Sequence, residues 1–251
     1  MVHTRNGPCR FERVSDRLTR SRDTPARPER HTLEPRHYSP SEPGGNLLVL
    51  AHGAGAGQAH PFMAAMGRGL AARSVDVVTF DFPYMQQRRR APDRAPVLEA
   101  AFRDAIAAAR DLAGWGKHLF IGGKSMGGRI ATHLAADHTD RAIRPLLRGV
   151  VCLGYPLHPP GRPDQPRTAH LPAISASVLI VQGERDPFGT PAELAPVTAT
   201  MKADVTLHVV EGGDHSLNVT RPGRKAPAAE DRYAQVLDVV AEWMESVSGR
   251  G

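Results

Sequence analysis

Ser125 stands in Gly123-Lys124-Ser125-Met126-Gly127, a Gly-x-Ser-x-Gly pentapeptide between an apolar run and a helical pattern. A sharp strand-to-helix turn of this composition presents a serine hydroxyl as a nucleophile. A hydroxyl is a poor nucleophile at neutral pH, so it needs a general base, and the base needs an orienting carboxylate. Among the 12 histidines, His215 is singled out by its place. It lies five residues past an apolar run, in Glu211-Gly212-Gly213-Asp214-His215-Ser216, where two glycines allow a tight excursion. Asp186 lies five residues past the preceding apolar run, ahead of Pro187. Asp214 is the rival acid, but its adjacency to His215 leaves its carboxylate badly placed for the ring. Serine, acid and histidine then follow in chain order at three strand ends, the order of one hydrolase architecture.

A negative charge developing on an attacked carbonyl needs donors. The Met126 amide, directly after the serine, is one candidate; the Ala54 amide in His52-Gly53-Ala54-Gly55-Ala56-Gly57 is the other. His52 reads as structural, holding that loop by hydrogen bonds. Tyr84, Leu157, His158 and Phe188 are expected to line the substrate wall, and Asp81 is a weaker candidate. Arg88 to Arg90 either meet an anionic substrate or form a solvated charge run, the second being the more usual for such a sequence. His and Cys are scattered without metal-ligand spacing, and the expected chemistry needs neither metal nor cofactor.

The elements that would hold these groups alternate along the chain. Strands are predicted at 47–51, 75–80, 118–122, 150–153, 177–181 and 205–210 from short apolar runs. Helices are predicted at 62–72, 96–112, 128–138, 190–201 and 228–248 from apolar residues three and four apart. Uniformly apolar strands alternating with helices mean an α/β fold, a mostly parallel sheet covered on both faces. Beyond the carboxyl ends of such strands is where functional groups gather. The segment 154–176 is rich in proline and too short for a helical cap, so a fairly open cleft is expected.

The 251 residues suffice for one domain with a sizeable core. Residues 1–45, rich in Arg and Pro, are expected to form a flexible tail, with 46–248 as the folded domain. Within the tail, Phe11 to Val14 or Thr32 to Glu34 are candidate edge strands. The net charge of +6 comes almost wholly from arginine. Without an aromatic-interleaved basic stripe, nucleic acid is not the expected partner. No apolar run reaches membrane-spanning length, and no apolar leader precedes the domain, so a cytoplasmic protein is expected. Two cysteines do not make a disulfide framework, and Cys152 reads as a core residue.

Four strings together resemble the α/β-hydrolase superfamily in its dienelactone-hydrolase-like branch: His52-Gly53-Ala54-Gly55, Asp81-Phe82-Pro83-Tyr84, Gly123-Lys124-Ser125-Met126-Gly127-Gly128-Arg129, and Gly154-Tyr155-Pro156-Leu157-His158-Pro159-Pro160-Gly161. The resemblance runs over about residues 46 to 246. It is closest to the group of testis-expressed hydrolase-like proteins and a subunit of the NSL histone acetyltransferase complex. It implies an α/β-hydrolase fold without naming a substrate; the serine, histidine and acid themselves set the expectation of a small-molecule carboxylic ester or thioester, cleaved through an acyl-enzyme. Dienelactone hydrolases proper carry a cysteine where this chain has Ser125. A scaffold member of the group sets the alternative, a non-catalytic binding module.

Overall fold

Apolar runs such as Leu47-Leu48-Val49-Leu50-Ala51 can be buried only in a sheet covered on both faces, and that is where they lie. The computed structural model describes residue 1, residues 33–219 and residues 232–249. Its strands are β1 (Arg36–Tyr38), β2 (Asn46–Ala51), β3 (Val75–Phe80), β4 (His118–Lys124), β5 (Leu147–Leu153), β6 (Ser177–Gly183) and β7 (Val205–Val210). They form one sheet in the order β1-β3-β2-β4-β5-β6-β7, with only β1 antiparallel to its neighbour. The helices are α1 (Pro61–Ala71), α2 (Pro83–Gln86), α3 (Ala95–Ala113), α4 (Met126–Ala136), α5 (Pro191–Thr198) and α6 (Ala234–Ser248).

Alternation along the strands divides the core in two. Leu47, Val49 and Ala51 face one cluster with Phe102 and Ile106 of α3 and Ile130 and Leu134 of α4. Leu48 and Leu50 face the other, with Met63 and Met66 of α1 and Leu237, Val240 and Met244 of α6. Cys152 is fully buried in the first cluster, and burial pushes its thiol up to about 12, so it packs as a neutral side chain. No described helix is long and apolar enough to cross a membrane.

The edge of the sheet departs from the sequence reading. Arg36–Tyr38 pairs with β3, so residues 33–45 join the folded unit rather than a tail, and Leu33 and Glu34, the described part of the candidate at Thr32 to Glu34, are not in a strand. The reason is a tertiary contact: Nε2 of His37 meets the buried Asp76 carboxylate at 2.7 Å, which Lys117 also pairs at 2.7 Å. The other candidate, Phe11 to Val14, lies outside the described residues. So does the start of the last helix as read from sequence; the described helix begins at Ala234. Helix α5 ends three residues early, but its start is as expected. Thr190 Oγ1 accepts from the Glu193 amide, and Glu193 accepts from the Thr190 amide, a reciprocal cap. Residues 154–176 hold only a single 3-10 turn, Leu171–Ala173, and no cap helix.

Candidate active site

Strand β4 ends at Lys124 and α4 begins at Met126, leaving Ser125 to make the whole turn. Its φ of 50° and ψ of −113° lie where side-chain-bearing residues rarely go, a strain of about 1–3 kcal/mol. Two backbone hydrogen bonds hold it there: Ser125 N–H to Leu153 O at 3.0 Å, and Arg129 N–H to Ser125 O at 3.0 Å. The flanking glycines are required by close approach. A Cβ at Gly123 would lie 2.5 Å from the Ala51 carbonyl oxygen, and one at Gly127 would lie 2.4 Å from the same atom. Side chains there would push β2 away from the turn.

The loops after β6 and β7 reach the same edge. His215 Nε2 lies 2.9 Å from Ser125 Oγ, and His215 Nδ1 lies 2.7 Å from Asp186 Oδ2. The carboxylate fixes the proton on Nδ1, so the Nε2 lone pair faces the serine hydroxyl. Asp186 is 1% exposed. Its two oxygens accept from the Phe188 amide at 2.8 Å and from Gln182 Nε2 at 2.8 Å, besides the imidazole. Phe188 then stacks on the His215 ring, centroids 4.2 Å apart. Asp214 is occupied elsewhere: its Oδ1 accepts from the Ser216 and Asn218 amides at 2.7 and 2.9 Å, closing the turn that carries His215.

Two positioning groups escaped the sequence reading. Gln182, fully buried at the end of β6, also donates to Gly189 O at 2.7 Å and accepts from the Tyr155 amide at 2.7 Å. It thereby joins the loops after β5 and β6 under the Asp186 carboxylate. Lys124 Nζ donates to the main-chain oxygen of His215, linking the β4 end to the histidine loop. Burial lowers the Lys124 ammonium to about 8, against the attraction of Asp186 and Asp214. No sequence pattern marks either residue, because a polar group ending an apolar strand is ordinary.

A cavity of about 630 Å³ opens over Ser125 and His215. Ala54 and Met126 both line it, and neither amide donates to an acceptor among the described residues. Such amides are suited to a developing oxyanion. Phe188 lines the cavity as expected, but Tyr84, Leu157 and His158 do not. Tyr84 is fully buried, 5.9 Å between ring centroids from His52. After the positive φ of Gly154 the chain folds inward, so Leu157 packs in the core and His158 reaches Glu193 at 3.3 Å. His52 holds its loop: Nδ1 donates to Gly53 O at 2.8 Å, and Nε2 accepts from the Phe82 amide at 3.1 Å. Burial lowers its pKa, keeping it neutral. Asp81 accepts from the Gln58 amide at 2.7 Å and serves the loop rather than the cavity. Arg88 to Arg90 are exposed and outside the cavity wall.

The profile that describes the alpha/beta hydrolase domain family matches residues 44–245. Among solved structures, the chain is similar to a dienelactone hydrolase from Anabaena variabilis, with TM-score 0.63 and 18% identity over 85% of this chain and 91% of that one. It is similar to Est1E from Butyrivibrio proteoclasticus, solved with bound ferulic acid, at TM-score 0.65 and 13% identity over 86% and 96% of the two chains. A serine hydrolase without a lid from Xanthomonas campestris matches at TM-score 0.59 and 15% identity, over 87% and 88%. At these identities the structural likeness speaks for the fold. With four-fifths of its length matched by the profile, the chain belongs to the alpha/beta hydrolase domain family.

Proposed function

We propose that this chain is a serine hydrolase that cleaves a carboxylic ester or thioester through an acyl-enzyme. Ser125 Oγ attacks the carbonyl carbon while His215 Nε2 takes its proton, and Asp186 stabilises the imidazolium that forms. The Ala54 and Met126 amides donate to the tetrahedral oxyanion. Collapse breaks the bond to the leaving oxygen or sulfur, which receives the proton from His215. Water, deprotonated by the same nitrogen, then attacks the acyl-serine, and Ser125 recovers its proton as the acid departs. No step calls for a metal or cofactor.

The observation that carries this reading is the unbroken path from Ser125 Oγ through His215 to Asp186, 2.9 and 2.7 Å, at the floor of a cavity. A binding module has no physical need of a strained serine poised against an oriented imidazole. Within the family, the Gly123–Arg129 and Gly154–Gly161 strings support a place near the testis-expressed and NSL-subunit group. A cytoplasmic location fits the free, buried Cys152.

Steady-state hydrolysis of 4-nitrophenyl butyrate tests the reading. Ser125→Ala and His215→Ala are each expected to lower kcat by ~10⁴-fold or more, and the double variant by no more than either alone, because the groups act as a unit. Retention of activity within tenfold by folded Ser125→Ala would remove Ser125 from the chemistry.

A further inference from the structure

The cavity wall carries more positive charge than the proposed reaction uses. Lys124, Arg129, Arg167 and Arg232 line it, against the single carboxylate of Asp93. Lys124 is engaged with His215, Arg232 with Asn218, and Asp93 with Arg89 at 2.6 Å. Arg129 and Arg167 remain. Among the described residues neither guanidinium lies within ion-pair distance of a carboxylate, and the polar side-chain contact of Arg129 is a 3.5 Å approach to His133 Nε2. Glu99, a carboxylate whose charge acts on Arg129, is bonded to His133 at 3.0 Å.

Both arginines are built into the site by the fold. Arg129 lies in the first turn of α4, where its N–H donates to Ser125 O at 3.0 Å, which fixes it about one helical turn, ~5.4 Å, beyond the serine. Arg167 is clamped through its backbone: its N–H donates to Leu157 O at 2.7 Å, and its carbonyl accepts from the buried Tyr155 hydroxyl at 2.7 Å. Partial burial and repulsion from Arg167 both lower the pKa of Arg129, so the two charges act on each other. Two guanidinium groups without a carboxylate partner, facing one partly apolar cavity, repel each other until an anion offsets their charge.

We propose that Arg129 and Arg167 form an anion subsite, so that the substrate is an ester or thioester bearing a second, ionised group, a carboxylate or a phosphate. Each guanidinium presents a planar fork that matches either anion in bidentate fashion. The arginine run flagged in the sequence, Arg88 to Arg90, is not this site; it lies outside the cavity. The assignment of a substrate rests on the hydrolase reading, whereas anion binding by the pair does not.

Two measurements separate the claims. Calorimetric titration of Ser125→Ala protein with glutarate and with inorganic phosphate reads the subsite without turnover. At least one anion is expected to bind, with tenfold or greater weakening in Arg129→Gln and in Arg167→Gln. Stronger binding of glutarate selects the carboxylate, and stronger binding of phosphate selects the phosphoryl group. Absence of binding by both anions, or binding indifferent to both substitutions, overturns the subsite. Hydrolysis of mono-4-nitrophenyl glutarate against its methyl ester then reads specificity. For a carboxylate subsite the free acid is expected to have at least tenfold higher kcat/KM, the ratio falling toward one in either variant. Equal Ser125-dependent rates overturn the carboxylate-bearing substrate and leave the hydrolase intact. If neither ester shows Ser125-dependent turnover, the hydrolase reading fails and the titration alone decides the subsite.

Discussion

A buried ammonium one residue before Ser125, the proposed nucleophile, is an unusual neighbour. The charge on Lys124 is disfavoured by burial more than Asp186 and Asp214 favour it, which is why it releases its proton near pH 8 rather than 10.5. Between those values the unfolded chain holds more protons than the folded one, so stability contributed by this group rises with pH across that window. The full shift amounts to about 3 kcal/mol as an upper figure. Lys124→Met removes this component while keeping the stem. Urea midpoints of both proteins at pH 7.5 and pH 10 measure it, since other titrating groups cancel in the difference. Wild type is expected to gain on Lys124→Met as pH rises; a difference independent of pH would mean the ammonium is well solvated. Residue by residue, Ser125, Asp186 and His215 were legible because each follows an apolar run at a strand end. Lys124 was not, since the pentapeptide leaves that position unrestricted.

Strands β4, β6 and β7 each deliver one group to the same sheet edge, and β6 does so with an internal brace. Gln182 fills its hydrogen-bonding capacity between Asp186, Gly189 and the backbone of Tyr155. Gln182→Leu leaves the Tyr155 amide unpaired and one Asp186 lone pair without its donor. The expected loss is roughly 2–3 kcal/mol of stability for the orphaned buried groups. Turnover is expected to fall tenfold or more through kcat rather than KM, because the imidazole loses its fixed partner. Kinetics with a denaturant series on the same preparation would check this; a variant with unchanged kcat would show that Asp186 holds without the brace. At this scale, the six apolar strands and the five longer helices were legible from period and composition. β1 was displaced because three residues, Arg36-His37-Tyr38, carry no alternation, and their pairing depends on distant Asp76 and Tyr38 packing against α1. The wall residues Leu157 and His158 were misplaced because Gly154 and Gln182 turn their loop inward, a tertiary effect without local signature.

Across the molecule, one sheet separates two cores and gathers its chemistry at one edge, where residues 154–176 supply no cap helix. Without such a cap to move, hydrolysis of tributyrin is expected to rise smoothly through its solubility limit. A sharp increase at that limit would mean that a segment opens over the cleft. Every step of the proposed chemistry depends on Ser125 as the attacking group. Its most direct test is reaction of the folded protein with a fluorophosphonate, followed by mass mapping of the adduct. The expected result is a single phosphonyl addition on the peptide containing Ser125, absent in Ser125→Ala and strongly slowed in His215→Ala. A folded wild-type protein that stays unmodified, or one labelled equally well after Ser125→Ala, would contradict it.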